Sequence, residues 1–530
     1  MASLPCDDPL PGMLQQPLPE EVENGKPKNH SYAQILKSSA LIGGSQVLNI
    51  AIGIVRTKAM AMLLGPGGFG LAGLYNSVAD ITQNIAGMGI NSSGVRQIAE
   101  AVGSEETERI ARTAAVLRRT AVALGFLGAL LLVVFSRQVS TLTFGDSRHA
   151  YAICLLSIAV FFKSVSAGQG ALIQGMRRIA DLAKMGVLGG FFGTLVSIPV
   201  IYVFREQGVV PSLVAIAAMT LLTSWWYSRK LRTYTPPISV FELRQEVAPL
   251  LKLGFVFMAS GLMTLGVAYA IRITVLHKLG YEATGLYQSS WTLGGLYVGF
   301  ILQAMGADFY PRLTASANDN ATCNRLVNEQ AHVGLLLACP GVIATLTFAP
   351  IVVALFYSAK FSPAVGLLRW ICLGATMQVV SWPMGFIIVA KGRQNLFFFC
   401  ELAWAIVSLG LAWTCVRSFG LNGTGIAFFG SYVFHALLLY PIVKRLSGFS
   451  WSADNLRTGG LLLALIGAVF CGILVLPLSL AVCIGVPATL LSAYYSISVL
   501  AEFVSLDRIP RPIRQLIVGL GFASSNPTAD

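Results

Sequence analysis

The chain is 530 residues long, 55% hydrophobic and 12% charged, with 53 glycines, a mean hydropathy of +0.70 and a formal charge of +13. Soluble domains carry roughly 25% charged residues, so a water-soluble globular protein is excluded. Apolar runs of about 20 residues recur along most of the length, each enough to cross a hydrocarbon core of about 30 Å. They do not alternate over roughly 10-residue segments, which excludes a β-barrel and leaves an all-α polytopic membrane protein.

Residues 1–37 are polar and proline-rich and lack the basic, apolar and cleavage regions of a signal peptide. They read as a disordered cytoplasmic tail. Membrane spans are expected at 38–63, 69–93, 113–135, 149–174, 183–204 and 208–228. After a cytoplasmic linker at 229–246 they resume at 247–277, 282–307, 330–356, 364–390, 394–416 and 422–443. A further pair follows at 457–476 and 478–500, then a cytoplasmic tail at 503–530. The expected organisation is about 14 transmembrane helices. They form an N-terminal six-helix bundle (38–228), a C-terminal one (247–445) and an additional helix pair (446–502). The nine cysteines contain no C-x-x-C and lie mostly in apolar runs, so neither a disulfide framework nor a metal site is suggested.

The 37 Lys and Arg orient the chain. With both termini inside, the outer loops take only Arg137, Arg148, Arg205, Lys278, Lys360 and Arg417. Arg56, Lys58, Lys163, Arg272 and Arg369 fall inside spans, and the rest lie in the tails and inner loops. This is the positive-inside pattern. It accounts for the net charge without a nucleic-acid partner. Residues 96–119 interleave Glu and Arg and read either as an amphipathic helix on the inner membrane face or as a solvated connector. "GPGGFG" at 65–70 matches G-x-G-x-x-G but follows a membrane helix rather than a strand, so it is a helix-to-helix turn.

The second half restates the first. A slide of 215 residues brings Ser45 onto Ser260, Leu64 onto Leu279, Gly65 onto Gly280 and Gly70 onto Gly285, with Arg272 within one residue of the counterpart of Arg56. The offset spans an even number of helices, so the repeats are parallel and related by an axis along the membrane normal. A substrate cavity is then expected between the bundles. Helical phase sorts the polar residues facing it. Gln46, Asn49, Gly53 and Arg56 share one stripe, and Asn76, Asp80, Gln83, Asn84, Gly87 and Asn91 share another. Gln288, Thr292, Gly295, Gly299, Gln303 and Gly306 form a third, and Lys163, Ser166, Gly170 and Gln174 a fourth. Glycine and serine stripes also serve as plain packing surfaces. Lys58 points away from Arg56 and is expected to snorkel to the outer surface.

Asp80 and Glu401 are the carboxylates clearly inside spans. Either suits a proton or sodium site. The alternatives are that Asp80 neutralises a cavity cation such as Arg56, and that Glu401 snorkels inward. No Walker A pattern, H-E-x-x-H or nucleophile elbow is present, and the five histidines are scattered. An enzyme is not expected.

Fourteen spans, paired six-helix bundles and a cationic first helix ending in "LLGPGGFGLAGLYNSV" together resemble the polysaccharide flippases of the Wzx type. These share a superfamily with MurJ and the MATE exporters. The likeness is nearest to the branch that translocates the lipid-linked oligosaccharide of enterobacterial common antigen. It is best over 38–120, looser to 445 and absent from the N-terminal tail. It implies a flippase moving an undecaprenyl-pyrophosphate-linked oligosaccharide across a bacterial inner membrane by alternating access. The glycan would be O-antigen, common antigen or exopolysaccharide. It also implies coupling to a proton or sodium gradient with no bound cofactor. Membrane lipids, and a polymerase and chain-length regulator of the same pathway, would be the partners. Arg56 and Arg272 would then grip the pyrophosphate as planar forks. Lys163 and Arg369 would extend the cationic path, and Asn49, Asn76, Gln83, Asn84 and Gln288 would meet the sugars. A MATE-type drug or cation antiporter would need an acidic cavity instead. A MurJ-like lipid II flippase would suit the same charge.

Overall fold

The structure, a computed structural model, describes residues 28–103, 106–231 and 240–503. Most of the expected N-terminal tail and linker, nearly all of the C-terminal tail, and the side chains of 303–308 (with Gln303 and Gly306 of the third stripe) lie outside the described residues. Every regular element among them is helical. The first half holds α1 (Lys28–Gly87), α2 (Ile90–Gly103), α3 (Thr107–Val134), α4 (Ser136–Phe144), α5 (Ala150–Gly175), α6 (Ile179–Phe204) and α7 (Val209–Arg229). The second holds α8 (Val240–Ala315), α9 (Asn320–Phe356), α10 (Ala364–Ala390), α11 (Gln394–Phe419) and α12 (Asn422–Ser447), followed by α13 (Ala453–Val475) and α14 (Leu478–Phe503).

Among the described residues, 11 continuous helical stretches are long and apolar enough to cross a membrane. Three of them each contain a break in the helix and join two passages: Gly43–Gly87, Ile179–Arg229 and Gly261–Leu296, of 45, 51 and 36 residues. At 1.5 Å per residue they would extend about 54–77 Å, against a core of about 30 Å. The second of these is simply α6 and α7, joined by the 3-10 turn Arg205–Gly208. The other two break at one glycine each, Gly65 (φ 66°, ψ −173°) in α1 and Gly280 (φ 85°, ψ −177°) in α8. That combination of angles is open essentially to glycine alone.

Neighbouring contacts show that the chain reverses there. Before Gly65, α1 runs beside α6, with Asn49 against Gly186 and Gly190 and the Leu63 carbonyl accepting from Arg205. After Gly65 it runs back beside α5, with Tyr75 at His149 and Asp80 at Lys163. In α8, Arg272 meets Gln288, and the two are equidistant from Gly280. Divided at these places, the stretches make the fourteen crossings expected. The repeat is visible in the backbone, since equivalent glycines make the same reversal.

The halves touch along α1 and α8. Gly70 and Gly285, equivalent in the repeat, lie backbone to backbone, and a methyl at Gly285 would strike the Pro66 carbonyl. At the far end Gly89 and Gly254 approach equally closely. The additional helices α13 and α14 pack on α9, which also packs on α10. Asp319 starts α9 by accepting from the backbone N–H groups of Ala321 (2.9 Å) and Thr322 (3.2 Å), an N-cap. Large apolar side chains such as Phe126, Tyr151, Ile351, Leu437 and Val475 lie exposed on the outside. A soluble protein would bury them, whereas hydrocarbon solvates them.

Two expectations are corrected. Residues 96–119 are not one surface helix. α2 ends at Gly103, α3 starts at Thr107, and α2 buries Ile98 and Gly94 against Gly175 of α5 and Leu117 of α3. Packing on the bundle, rather than the charge pattern, sets its position. The connection between α3 and α5, expected as a plain loop, also carries the helix α4.

Gly285→Ala should therefore destabilise the purified protein by about 1–3 kcal/mol through overpacking. Gly467→Ala, at a helical site with nothing within 4 Å of the added methyl, should be neutral. An unchanged thermal midpoint for Gly285→Ala would contradict the backbone contact.

Candidate functional site

Arg56 lies on the arm of α1 before Gly65. It lines a cavity of about 220 Å³ with Gly53, Thr57, Thr292, Phe356 and Tyr357. It makes no hydrogen bond or ion pair among the described residues, and its nitrogens stay accessible from the cavity. Arg272, from the other half, donates from Nε to Gln288 Oε1 at 2.8 Å. Gln288 donates onward to Thr292 Oγ1 at 3.2 Å, and Thr292 lines the Arg56 cavity. One polar chain thus leads from Arg272 to the space before Arg56. Gly73 makes room for it, because a methyl there would sit 3.0 Å from Gln288 Oε1. Tyr357 is held by donating to the Ser289 carbonyl at 3.2 Å.

Asp80 lies on the other arm of α1, roughly 9 Å farther from the Gly65 turn than Arg56 by helical rise. Its Oδ1 accepts from Lys163 Nζ at 2.9 Å, and its Oδ2 accepts from Asn76 Nδ2 at 3.1 Å. Lys163 also reaches Asn76 Oδ1 at 3.4 Å. The Lys163 and Asp80 side chains are 25% and 37% exposed, so the pair is neither sealed nor fully solvated. Asp80 opens on a cavity of about 380 Å³ that is also lined by Gln83, Asn84, Asn91, Ser92, Ser164 and Leu265. Asn84 Oδ1 is buried there without a partner. The cation that Asp80 takes is Lys163, not Arg56.

The remaining expected residues lie elsewhere. Asn49 packs its amide on Gly186 and Gly190 of α6, so it faces that helix. Arg369 donates from Nε to the Leu346 carbonyl at 3.3 Å, and its Nη2 is buried without a partner. Leu346 is four residues before Pro350, which has no N–H to offer it, so Arg369 fills a gap in the α9 ladder. Lys58 reaches the Leu355 carbonyl at 2.5 Å, in the last turn of α9. A cation is favoured at a helix C-terminus, and this contact replaces free snorkelling.

Glu401 on α11 faces His435 on α12, with Oε1 to Nε2 at 3.4 Å, and His435 Nδ1 lies 3.1 Å from Ser381 Oγ. The imidazole is buried. Beside them, α8, α10, α11 and α12 enclose an apolar cavity of about 580 Å³ lined by Trp291, Trp382, Trp404, Phe428 and Tyr432.

At the Gly65–Gly280 end the halves are joined by polar aromatic contacts. His149 Nδ1 is 2.7 Å from Tyr75 OH and its Nε2 is 3.2 Å from Tyr281 OH. Phe144 stacks on the imidazole at 4.0 Å. Thr143 Oγ1 meets Tyr269 OH at 2.5 Å, and its carbonyl meets His277 Nε2 at 3.1 Å. His149, His435 and Tyr357 carried no signal in the sequence. Each is an isolated residue whose partner lies on a distant segment.

The comparisons agree with this architecture. Residues 59–366 match the family model described as polysaccharide biosynthesis protein. A relative named Lipid III flippase, from Escherichia coli (strain K12), is 21% identical over 421 residues, covering 75% of this chain and 95% of that protein. The one from Shigella flexneri matches equally. Among solved structures, an inward-facing multidrug resistance MATE transporter superposes with a TM-score of 0.61 at 17% identity, over 77% of this chain and 96% of that one. The lipid II flippase MurJ, in an inward closed conformation, gives 0.61 at 12% identity, over 88% and 99%. At these identities the structures establish the fold, a MATE- and MurJ-like all-α transporter fold. The family model covers more than half of the chain, which is therefore a member of the polysaccharide biosynthesis protein family.

Proposed function

We propose that this multi-pass membrane protein is a flippase for an undecaprenyl-pyrophosphate-linked oligosaccharide. It acts in a bacterial inner membrane with both termini in the cytoplasm. The observation that carries the reading is Arg56: a guanidinium inside the membrane that lines a cavity and has no partner among the described residues, with Arg272 reaching the same space through Gln288 and Thr292. An uncompensated cation inside hydrocarbon is costly. A pyrophosphate would offset that cost, because its oxygens match the guanidinium fork. The Lipid III flippase relative and the family membership support the same class of substrate. An organic-cation drug would meet Arg56 with like charge.

The units 38–228 and 247–445 would rock about the α1–α8 contact, presenting the cavity alternately to each side. Positive-inside asymmetry supports assigning the Gly65–Gly280 end to the outer face. The Tyr75–His149–Tyr281 contacts would then be the outer seal. Coupling would come from a proton or sodium gradient, with Asp80 and the Glu401–His435 pair as the titratable candidates. No bond-making step is assigned to the chain. A polymerase and a chain-length regulator would take the product onward.

Burial holds the His149 imidazole below its ordinary value of about 6.5, with Asp146 drawing it up and Arg148 pressing it down. A lowered histidine favours the neutral ring in the closed protein. Its contribution is complete above the ordinary value and is lost as pH falls through the lowered one.

Two outcomes test these assignments. In a flippase-null strain, Arg56→Ala or Arg272→Ala should lose surface glycan at unchanged membrane levels, the missing contact weakening head-group binding about 30-fold or more. Full glycan with both removed together would refute the clamp. The thermal midpoint of the purified protein should fall between pH 7 and 5 by more than that of His149→Gln, which keeps a donor and an acceptor without titrating. Equal falls would remove His149 from the seal.

A further inference from the structure

The apolar cavity of about 580 Å³ in the C-terminal bundle takes no part in the proposed clamp, yet one helix face joins the two. Gln288, Thr292, Gly295 and Gly299 follow one another at helical spacing on the second arm of α8. Gln288 bonds Arg272 and Thr292 lines the Arg56 cavity, whereas the two glycines line the larger cavity. A methyl at Gly295 or Gly299 would meet no atom within 4 Å, so both leave wide passage along that face. The first arm repeats the junction, since Ile271 lines the larger cavity and Arg272 is the next residue. Four rings form a continuous strip along the wall. Trp291 lies 5.1 Å from Phe428 between centroids, Phe428 5.1 Å from Tyr432, and Tyr432 5.6 Å from Trp404. No lining residue carries a charge. Walls of this kind gain dispersion contact from hydrocarbon and offer few partners to water or a sugar hydroxyl. Depth fixes a direction. By helical rise Arg272 lies about 12 Å from the Gly280 turn, Trp291 about 16 Å and Leu302 about 33 Å. The cavity therefore extends from the level of the cation away from that turn.

We infer that this cavity receives the part of the substrate's prenyl chain nearest the pyrophosphate, while Arg56 and Arg272 hold the pyrophosphate itself. The inference deepens the proposed function and rests on it. An amphiphile lying along the shared face of α8 has its phosphates at the level of Gln288 and Thr292. Its first isoprene units then pass Gly295 and Gly299 and meet the ring strip. The ring faces are electron-rich and accept the C–H groups of a methyl-branched chain. Bilayer hydrocarbon is as apolar as the cavity wall, so the chain gains little free energy by exchanging one for the other. The cavity supplies orientation instead, because packed rings confine the chain to one path. That path leads away from the Gly65–Gly280 end, so the head group points towards it. A lipid in the leaflet at that end has the same orientation, and the proposed function makes that leaflet the outer one. This conformation thus holds the flipped lipid, head outward, before its release. Gly295 and Gly299 keep the path open, and a large side chain at either closes it.

The test uses the full-length protein in detergent and two photoreactive analogues of farnesyl pyrophosphate as probes. One carries a diazirine on its first isoprene unit, the other on its last. After irradiation, mass spectrometry should find the first-unit label at Ile271 or Trp291. The last-unit label should appear at Gln378, Trp382 or Trp404. The reverse order would overturn the orientation, and label confined to the outer apolar surface or to α13 and α14 would overturn the cavity. Gly295→Leu with Gly299→Leu should cut the last-unit label about tenfold and still fold, because leucine is the better helix former and the space is open. Unchanged label in that variant overturns the proposal, and should it fail to fold, the wild-type label positions decide. Excess unlabelled farnesyl pyrophosphate should displace the label, whereas the same excess of phosphatidylglycerol should not. Equal displacement by the two would overturn the prenyl assignment. Arg56→Ala with Arg272→Ala separates the two readings. Cavity label that survives both removals refutes the pyrophosphate clamp, whereas label that needs the arginines but falls outside the cavity refutes only the chain site.

Discussion

A cation placed inside a hydrocarbon layer needs an oxygen within reach, and the way each one finds it organises this protein. Lys58 takes a carbonyl in the last turn of α9, and Arg369 takes the carbonyl that Pro350 leaves without an N–H donor. Both bond backbone carbonyls that lack an intrahelical N–H, so both read as parts of the scaffold. Lys163 takes a carboxylate and Arg272 a neutral amide, both from side chains. Arg56 takes none. The order runs from backbone oxygen, through side chain, to open space.

Glycine makes that contact possible. Gly65 and Gly280 turn two over-long helices into hairpins at a backbone geometry other residues resist, and Gly70 and Gly285 let the hairpins meet without side chains between them. The close approach sets Gln288 against Gly73, and so joins Arg272 to the space in front of Arg56. The cavity and the contact between the halves thus share one set of small residues.

Helical phase located some of these residues and misplaced others for an identifiable reason. Arg56 and Gly53 share a face in the sequence and share a cavity in the structure. Asn49 shares that phase too, but α6 lies along its edge of the helix and takes the amide against two glycines. Phase gives a direction around one helix and says nothing of which neighbour stands there. The same gap hid the pairing of Asp80 with Lys163, 83 positions apart, and of Glu401 with His435. It also hid Tyr357, which reaches the Arg56 cavity from the end of α9.

The sequence by itself determined the medium, the number of crossings, the repeat and the two glycine turns. Hydrophobic run length, charge asymmetry and glycine's conformational freedom are all local properties that a single chain carries openly. Only the tertiary structure decided which cations bond backbone, which pair with a side chain and which face a cavity. That depends on the rotation and depth of one helix against another, and on where a proline leaves a carbonyl unpaired. In a layer without water, the nearest oxygen belongs to a neighbouring helix, and its position is known only once the helices are packed.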